Sequence, residues 1–341
     1  MPQGRFRALI SIAAALALSS QVALAQIEPS VPEEPSTQEE PLDQVTVEGA
    51  QPGPGLWKVS NGPRVLWILG TISSYPKGMT WRPEQIESVI AQSKQILGGA
   101  NVSANVSRLR ALFMLRSILK ARFNQDGAVL RDLLEPAVYT RWLDLRQQYF
   151  KDDEDIEKVR PMFIAFILYQ KAAQRAGLTE RSATADVLGK LAKKHRVPIK
   201  TREIKVDVGK PRDALEQFNA TPREQDVACL VAAIDRIDSD IEAMRRRANA
   251  WAVGDLETLR QIPEPVQESL CVNAVTSAPG LQEKFDDARK EVEATWLASA
   301  EYALATDDVT LAVLPMAELL SASNRLDKLR AKGYSVEPPQ D

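Results

Sequence analysis

The chain has 341 residues, a formal net charge of −3 and a pI near 5.6, and 44% of its residues are hydrophobic. These values are ordinary for a globular protein, and the lack of a basic excess argues against nucleic-acid binding. Its single histidine, His195, excludes any metal site that needs two histidines from one chain.

Residues 1–25 have the pattern of a cleavable secretory signal peptide. Two arginines precede an apolar stretch over residues 8–18, and Ala23 and Ala25 are the small residues that signal peptidase requires. A membrane anchor is the alternative, but the apolar stretch is only about half the ~20 residues that span a bilayer. We therefore expect cleavage after Ala25, export to the periplasm and no transmembrane segment in the mature chain.

A linker follows the signal peptide, over residues 26–54. It is rich in Pro and Glu and has almost no large apolar residues, so burial cannot offset the entropy cost of ordering it. We expect a disordered tether that extends the domain from a membrane or cell-wall surface. The folded domain is predicted over residues 55–337, with a tail at 338–341.

Sheet-forming segments lie at both ends of the predicted domain. The Asn-Gly pair at 61–62 separates the apolar runs 56–60 and 65–69, which predicts a β-hairpin. The second run is almost entirely apolar, as in a buried central strand. Residues 309–314 and 334–337 predict two more strands. Because helices fill the chain between these segments, we expect the first and last strands to meet in one sheet.

The central part of the chain is predicted to be mainly helical. Helices are predicted at 83–97, 109–123, 136–149, 161–176, 183–195, 221–251, 281–304 and 318–332, with short strands at 197–200 and 204–208. The predicted fold class is therefore α/β (α+β), with a small mixed sheet and a large helical insertion.

The longest predicted helix begins with Thr221 and Glu224 at capping-box spacing and Pro at its first position. Its apolar residues recur every three or four positions from Val227 to Trp251, as in a coiled-coil seam. We predict that it pairs with the helix over 281–304 as an antiparallel arm. The alternative is that the seam binds a helix of a partner, which would make residues 221–304 an interaction module.

Two cysteines are present, Cys229 and Cys271. In an oxidising compartment an isolated pair favours a disulfide. The loop that it closes has about 43 residues, worth about 4 kcal/mol in the chain-entropy model. Two free buried thiols are the alternative.

Three segments resemble the TraB/PrgY/GumN family, which is related to the Tiki proteins. They are residues 55–72 (beginning GLWKV and ending VLWILGTI), 247–255 (RANAWAVGD) and 326–336 (LDKLRAKGYSV). Their order and spacing agree with the family over residues 55–337, and the branch of exported GumN-like bacterial proteins is the most similar. No P-loop, GxGxxG, GxSxG or HExxH motif competes with this interpretation.

The resemblance implies a site at which this sequence departs from its family. Members with proposed metal-dependent hydrolase activity carry two Gly-x-x-His motifs and an early Glu, which bind a metal that activates water. The first motif here begins at Gly70 and has Ser73 in place of its histidine. The second has Glu318 in place of its histidine, and the early Glu falls on Gly98 or Gly99.

These replacements imply that the family's pocket persists without its metal. Serine is a poor ligand for a transition metal, and one carboxylate does not rebuild the site. We therefore expect a pseudoenzyme with no catalytic residue and no cofactor, and Arg289 is the candidate for the family's conserved arginine. The likeness to GumN implies a binding or scaffolding role with an envelope protein or in exopolysaccharide assembly.

The alternative is a hydrolase with substituted residues. Ser73 would then act as a nucleophile or orient water, and Glu318 would be the general base, without a metal or with a hard cation. A general base needs contact with the proton that it takes and a pKa near the working pH.

Overall fold

The structure is a computed structural model that describes residues 53–79, 81, 83–99, 101–104, 108–151, 153–179, 183–207, 210–262, 271, 281–322 and 324–339. The predicted signal peptide and all but the last two residues of the predicted linker lie outside this part of the chain. Among the helices of the described part, none is long and apolar enough to cross a membrane.

The described elements alternate between short strands and helices. The strands are β1 (Leu56–Asn61), β2 (Arg64–Thr71), β3 (Tyr75–Pro76), β4 (Ile96–Leu97), β5 (Asn101–Ala104), β6 (Leu178–Thr179), β7 (Ile199–Lys200), β8 (Glu203–Val206), β9 (Val309–Pro315) and β10 (Ser335–Glu337). The helices are α1 (Glu84–Gln92), α2 (Arg108–Lys120), α3 (Leu130–Leu133), α4 (Pro136–Tyr149), α5 (Pro161–Arg175), α6 (Ala183–His195), α7 (Pro211–Asn219), α8 (Arg223–Val253), α9 (Leu256–Gln261), α10 (Leu281–Thr306), α11 (Met316–Leu319) and α12 (Arg325–Ala331).

A six-stranded mixed sheet, in the order β10-β1-β2-β9-β4-β7, joins the two ends of the domain. β1 pairs antiparallel with both β2 and β10, whereas β2, β9, β4 and β7 are parallel. The β1–β2 hairpin turns at Gly62, whose φ of 59° favours glycine. The predicted α/β class, the hairpin and the meeting of first and last strands are therefore confirmed.

The main hydrophobic core lies around this sheet. Leu66, Ile68 and Leu69 of β2 are fully buried, as expected for a central strand. α10 packs against β1, β2 and β9, and α1 packs against β9. The central parallel strand β9 is thereby contacted by both helices.

A second core lies among the helices α4, α5 and α8. The apolar seam of α8, including Leu230, Ala233 and Ile237, packs mainly against α5. Cys229 of α8 and Cys271 form a disulfide with a Cα–Cα distance of 5.1 Å, which confirms the predicted pairing.

The two long helices, α8 and α10, do not pair as the predicted antiparallel arm. The α8 seam is buried on α5 and α4, while α10 lies against the sheet. The 3–4 spacing of a seam identifies a buried face but carries no information on which helix covers it. Because the seam is covered within the chain, it does not present the predicted surface to a partner helix.

The predicted capping box of α8 is also wrong. The helix begins at Arg223 after Pro222, and the buried Thr221 hydroxyl makes no hydrogen bond with any described residue. The opposite end agrees with the prediction, because Gly254 ends the helix in the left-handed conformation with φ of 79°.

Two predicted helices are shorter than their patterns suggested. The helix predicted over 83–97 ends at Gln92, because Ile96 and Leu97 are buried as β4 between β7 and β9. The helix predicted over 318–332 is divided into α11 and α12. Asn324 caps α12 by accepting hydrogen bonds from the backbone N–H groups of Leu326 (2.8 Å) and Asp327 (3.1 Å).

Candidate functional site

The segments at which the sequence departs from its family meet at one edge of the sheet. Thr71 at the carboxyl end of β2 lies opposite Pro315 at the carboxyl end of β9. The neighbouring parallel strand β4 ends at Leu97, opposite Ala312. The three loops that follow these strands therefore leave the sheet side by side, which is where open α/β sheets bind ligands.

Gly70 anchors the first of these loops. Its backbone carbonyl accepts a 2.8 Å hydrogen bond from the indole Nε1–H of Trp251, near the end of α8. A Cβ at Gly70 would lie 2.5 Å from the Cε atom of Met316, so a larger residue here would require the Met316 side chain to shift. Trp251, near the end of α8, thus contacts the carboxyl end of β2.

The loop after β2 is ordered by Tyr75. Its hydroxyl oxygen accepts hydrogen bonds from the Ile72 N–H (3.2 Å) and the Thr184 hydroxyl (3.1 Å). Its ring meets Trp251 edge-on, with 5.2 Å between the ring centroids. Ser73 lies in this loop with an exposed side chain, so its hydroxyl is held at the surface rather than among the buried aromatic rings.

Glu318, in α11, is paired with an arginine. Its carboxylate oxygen Oε1 lies 3.0 Å from Nε of Arg325, and the two side chains are only 21% and 13% exposed. The approach is an ion pair and not a directional hydrogen bond, since Nε of Arg325 has no hydrogen-bond partner among the described residues. The guanidinium also lies over the Trp296 ring, 5.4 Å from its centroid.

Burial raises the pKa of Glu318, and the positive charge of Arg325 opposes that rise. Burial likewise lowers the pKa of Arg325, although a guanidinium remains protonated at any physiological pH. At this edge the negative charge of Glu318 is therefore already balanced by a cation of the same chain.

Arg325 is the site residue that sequence reasoning missed. In a continuous helix over 318–332 it would lie seven residues from Glu318, about 10 Å along the axis. The break between α11 and α12 brings the two side chains together instead. The signal was Asn324, a strong N-cap residue that precedes Arg325 and has Asp327 at the capping-box position.

Arg289, the arginine predicted for this site, makes its ion pair on the surface of α10. It pairs with Asp286 one turn earlier on α10, and both side chains are nearly half exposed. Neighbouring charges on one helix surface are the usual arrangement of a solvated face. The structure thus provides no contact that joins Arg289 to Glu318, and Arg325 is the arginine at this edge.

The donor set at the edge does not fit the family's metal. The early Glu falls on Gly98, whose N–H donates to the Lys200 carbonyl (3.0 Å), or on Gly99, and neither residue has a side chain that could bind a metal. Within the described residues, no three His, Cys, Asp or Glu side chains lie close enough together to hold a metal ion. Ser73 is a weak ligand, and Glu318 already faces a guanidinium.

A model of the TraB/PrgY/gumN family matches residues 55–338. No curated protein and no solved structure matches the chain. Because the match covers the whole sheet, the helices between its strands and the edge with Ser73 and Glu318, the chain belongs to the TraB/PrgY/gumN family.

Proposed function

We propose that this family member binds or scaffolds in the cell envelope and does not hydrolyse a substrate through a metal. The observation that carries the proposal is the Glu318–Arg325 ion pair at the second motif. A divalent cation at Glu318 would meet a guanidinium within a few ångströms, and their repulsion disfavours binding in a partly buried site.

Export is part of the same proposal. The signal pattern of residues 1–25 supports secretion with cleavage after Ala25, and the Cys229–Cys271 disulfide is typical of an oxidising compartment such as the periplasm. Mass spectrometry of the protein from fractionated cells tests this directly. We expect a periplasmic chain that begins at Gln26, and a cytoplasmic chain that begins at Met1 would contradict export.

The role in the envelope is inferred from the resemblance to GumN. The proposed partner is a protein of the envelope or of polysaccharide assembly. The edge supports binding because hydrogen bonds with side chains hold its loops. Trp251 and Tyr75 fix the loop after β2, and Asn324 fixes the start of α12. A ligand would meet a preformed surface at this edge.

A metal-independent hydrolase is the second candidate, and one observation favours it. Burial moves the pKa of Glu318 upward, towards the range that a general base needs. Ser73 is accessible at the same edge of the sheet, so the two residues that the alternative requires are at least on one side of the fold.

Activity measurements on the mature chain separate the two candidates. The protein is assayed against peptide and ester substrates, with and without Zn²⁺ or Mn²⁺, alongside Ser73→Ala, Glu318→Gln and the control Ser239→Ala, at an exposed serine of α8. We expect no turnover above background in any of them. Turnover that Ser73→Ala or Glu318→Gln abolishes and Ser239→Ala preserves would overturn the proposal in favour of the hydrolase.

A further inference from the structure

The sheet ends in a strongly basic surface. It comprises the end of α6, the strand β7 and the residues that lead into β8, and we name it the basic edge. Its members are Lys193, Lys194, Arg196, Lys200, Arg202 and Lys205. All six side chains are exposed. Acidic residues also lie beside them: Glu87 pairs with Lys194, Glu203 lies 3.9 Å from Lys205, and the exposed Asp207 follows β8.

Most of this positive charge is not neutralised within the fold. Among the described residues, Lys193, Arg196, Lys200 and Arg202 take part in no ion pair. β7 is the outermost strand of the sheet, and Ile199 is 45% exposed between the charged residues. An edge strand flanked by unpaired cations is open to an extended, acidic binding partner.

Arg196 belongs to the turn that joins α6 to β7. Arg196 ends α6 in the left-handed conformation with φ of 58°, and the Val197 N–H closes the turn on the Ala192 carbonyl (2.9 Å). Glycine adopts this conformation without the steric strain that arginine bears. This turn at the end of α6 places the exposed Arg196 next to β7.

The chain itself carries a complementary segment. Residues 28–48 contain seven Glu or Asp residues and no Lys or Arg. We propose that this acidic segment binds the basic edge of the same molecule. The segment has seven negative charges, and four cations of the edge have no ion-pair partner among the described residues, so the two carry opposite charge.

The geometry of the sheet allows the contact. β1 begins at Leu56, opposite Leu69, so the chain enters the sheet at the carboxyl edge of the parallel strands, the same edge at which β7 ends at Lys200. Four strand spacings separate β1 from β7, about 19 Å. The ten residue steps from Asp43 to Gly53 can span about 33 Å when extended, so the acidic segment reaches the basic edge. This contact does not depend on whether the candidate site holds a metal, so it stands or falls separately from the proposed function.

Lysine acetylation followed by mass spectrometry tests the proposal in the mature chain. Lys193 and Lys200 report on the basic edge, and the exposed Lys151 and Lys210 are reference lysines away from it in sequence. The test variant removes four charges of the acidic segment, and a control variant removes four exposed carboxylates of the described domain. The test variant carries E33Q, E34Q, E39Q and E40Q, and the control variant carries E84Q, E257Q, E291Q and D308N.

We expect Lys193 and Lys200 to react about fivefold faster in the test variant than in the wild-type chain, because a tethered segment acts at millimolar effective concentration. The control variant should react like the wild type, and the reference lysines should not change. The difference should vanish at about 1 M salt, where the Debye length is about 3 Å. Equal rates in wild type and test variant at low salt would overturn the proposal.

Binding of dextran sulfate tests the alternative, that the basic edge is free to bind an external polyanion. If the acidic segment occupies the basic edge, the test variant should bind dextran sulfate about fivefold more tightly than the wild type, since its own competitor is lost. Equal affinity of the two proteins would show that the edge is free in the wild-type chain and would contradict the proposal. Matching melting temperatures of the variants ensure that folding differences do not produce either result.

Discussion

Two carboxylates near the sheet have pKa values displaced in opposite directions. Burial raises the pKa of Glu318 despite Arg325. Burial also opposes the ionisation of Asp307, but hydrogen bonds from Gln95, Thr306 and Thr310 outweigh it and lower the pKa of that carboxyl. The difference arises because hydrogen-bond donors surround Asp307, whereas among the described residues the Glu318 carboxylate has an ion pair with Arg325 and no hydrogen-bond donor.

The raised pKa of Glu318 predicts a pH dependence of stability. A carboxyl that binds its proton more tightly in the folded state favours folding at low pH, and this contribution is lost as the pH rises through the folded pKa. The wild-type protein should therefore lose stability relative to Glu318→Gln as the pH rises above the ordinary value of 4.5. Urea denaturation over a pH series measures the difference, and the exposed substitution Glu257→Gln is the control.

Asp307→Asn should show the opposite dependence. Asp307 is buried and accepts from Gln95 Nε2 (2.5 Å) and the Thr310 hydroxyl (3.2 Å), so it ties β4 to the start of β9. We expect a loss of about 1–3 kcal/mol at neutral pH. Because the folded pKa is lowered, the wild-type advantage should disappear as the pH falls below the ordinary value of 3.8. A difference that persisted at lower pH would contradict this account.

The residues of the site were predictable only in part. Gly70, Ser73 and Glu318 could be located because family motifs follow predicted strands. Arg325 could not be assigned, since its contact with Glu318 depends on a helix break between them. Charge pairs of this kind are set by tertiary packing, which local spacing does not encode.

At the scale of elements, α8 positions the candidate site. Its last turn delivers Trp251 to the Gly70 carbonyl, and Asp255 then caps α9 by accepting from the Thr258 N–H (2.9 Å). Arg247 donates to the Ile262 carbonyl (2.7 Å) and holds α9 against the helix. The AWAVGD segment is therefore a structural support for the loop after β2.

Trp251→Phe should destabilise the protein by about 2–4 kcal/mol, because it leaves the buried Gly70 carbonyl without its donor. Trp142→Phe is the matched control. It also removes a buried indole hydrogen bond, to Glu157 (2.8 Å), but in the helical core. Hydrogen exchange should increase at residues 71–75 in Trp251→Phe alone. Equal exchange at these residues in the two variants would refute the supporting role.

Elements with strong local signals were predicted well. The Asn-Gly turn, the Pro residues that open α4 and α5 and the glycine after α8 each impose a backbone conformation through short-range chemistry. Elements that depend on pairing with distant parts of the chain were not predicted well. The two-residue strand β4 is stabilised by β9 and β7, more than 100 residues away, so the periodicity of its neighbours concealed it.

At the scale of the whole molecule, two cores are linked through α8. Its first half belongs to the helical core and its last turn to the sheet core. The disulfide lies in the helical core, where it joins Cys229 of α8 to Cys271. Stability in the helical core therefore depends on the oxidation state of the chain.

Removal of the disulfide by Cys229→Ala and Cys271→Ala should cost about 2–4 kcal/mol, because the cross-link restricts the unfolded chain over a sequence separation of 42 residues. Urea denaturation with and without dithiothreitol provides the measurement. The reductant should lower the stability of the wild type and leave the double variant unchanged. A wild-type protein insensitive to complete reduction would contradict the prediction.

The fold class and the meeting of the chain ends could be predicted from the sequence, but the arrangement of the helices could not. A seam such as that of α8 identifies a buried face, but its spacing does not identify which of several helices covers it. The α8 seam packs on α5 and not on α10, because α10 packs against β1, β2 and β9 of the sheet.

The most direct test of the central claim is the metal content of the mature chain after equilibration with Zn²⁺ or Mn²⁺ and removal of excess metal. Since Arg325 already balances Glu318, we expect less than about 0.1 ion per chain, with no difference between the wild type and Glu318→Gln. About one ion per wild-type chain, lost in Glu318→Gln, would show that Glu318 is a metal ligand and would contradict the account.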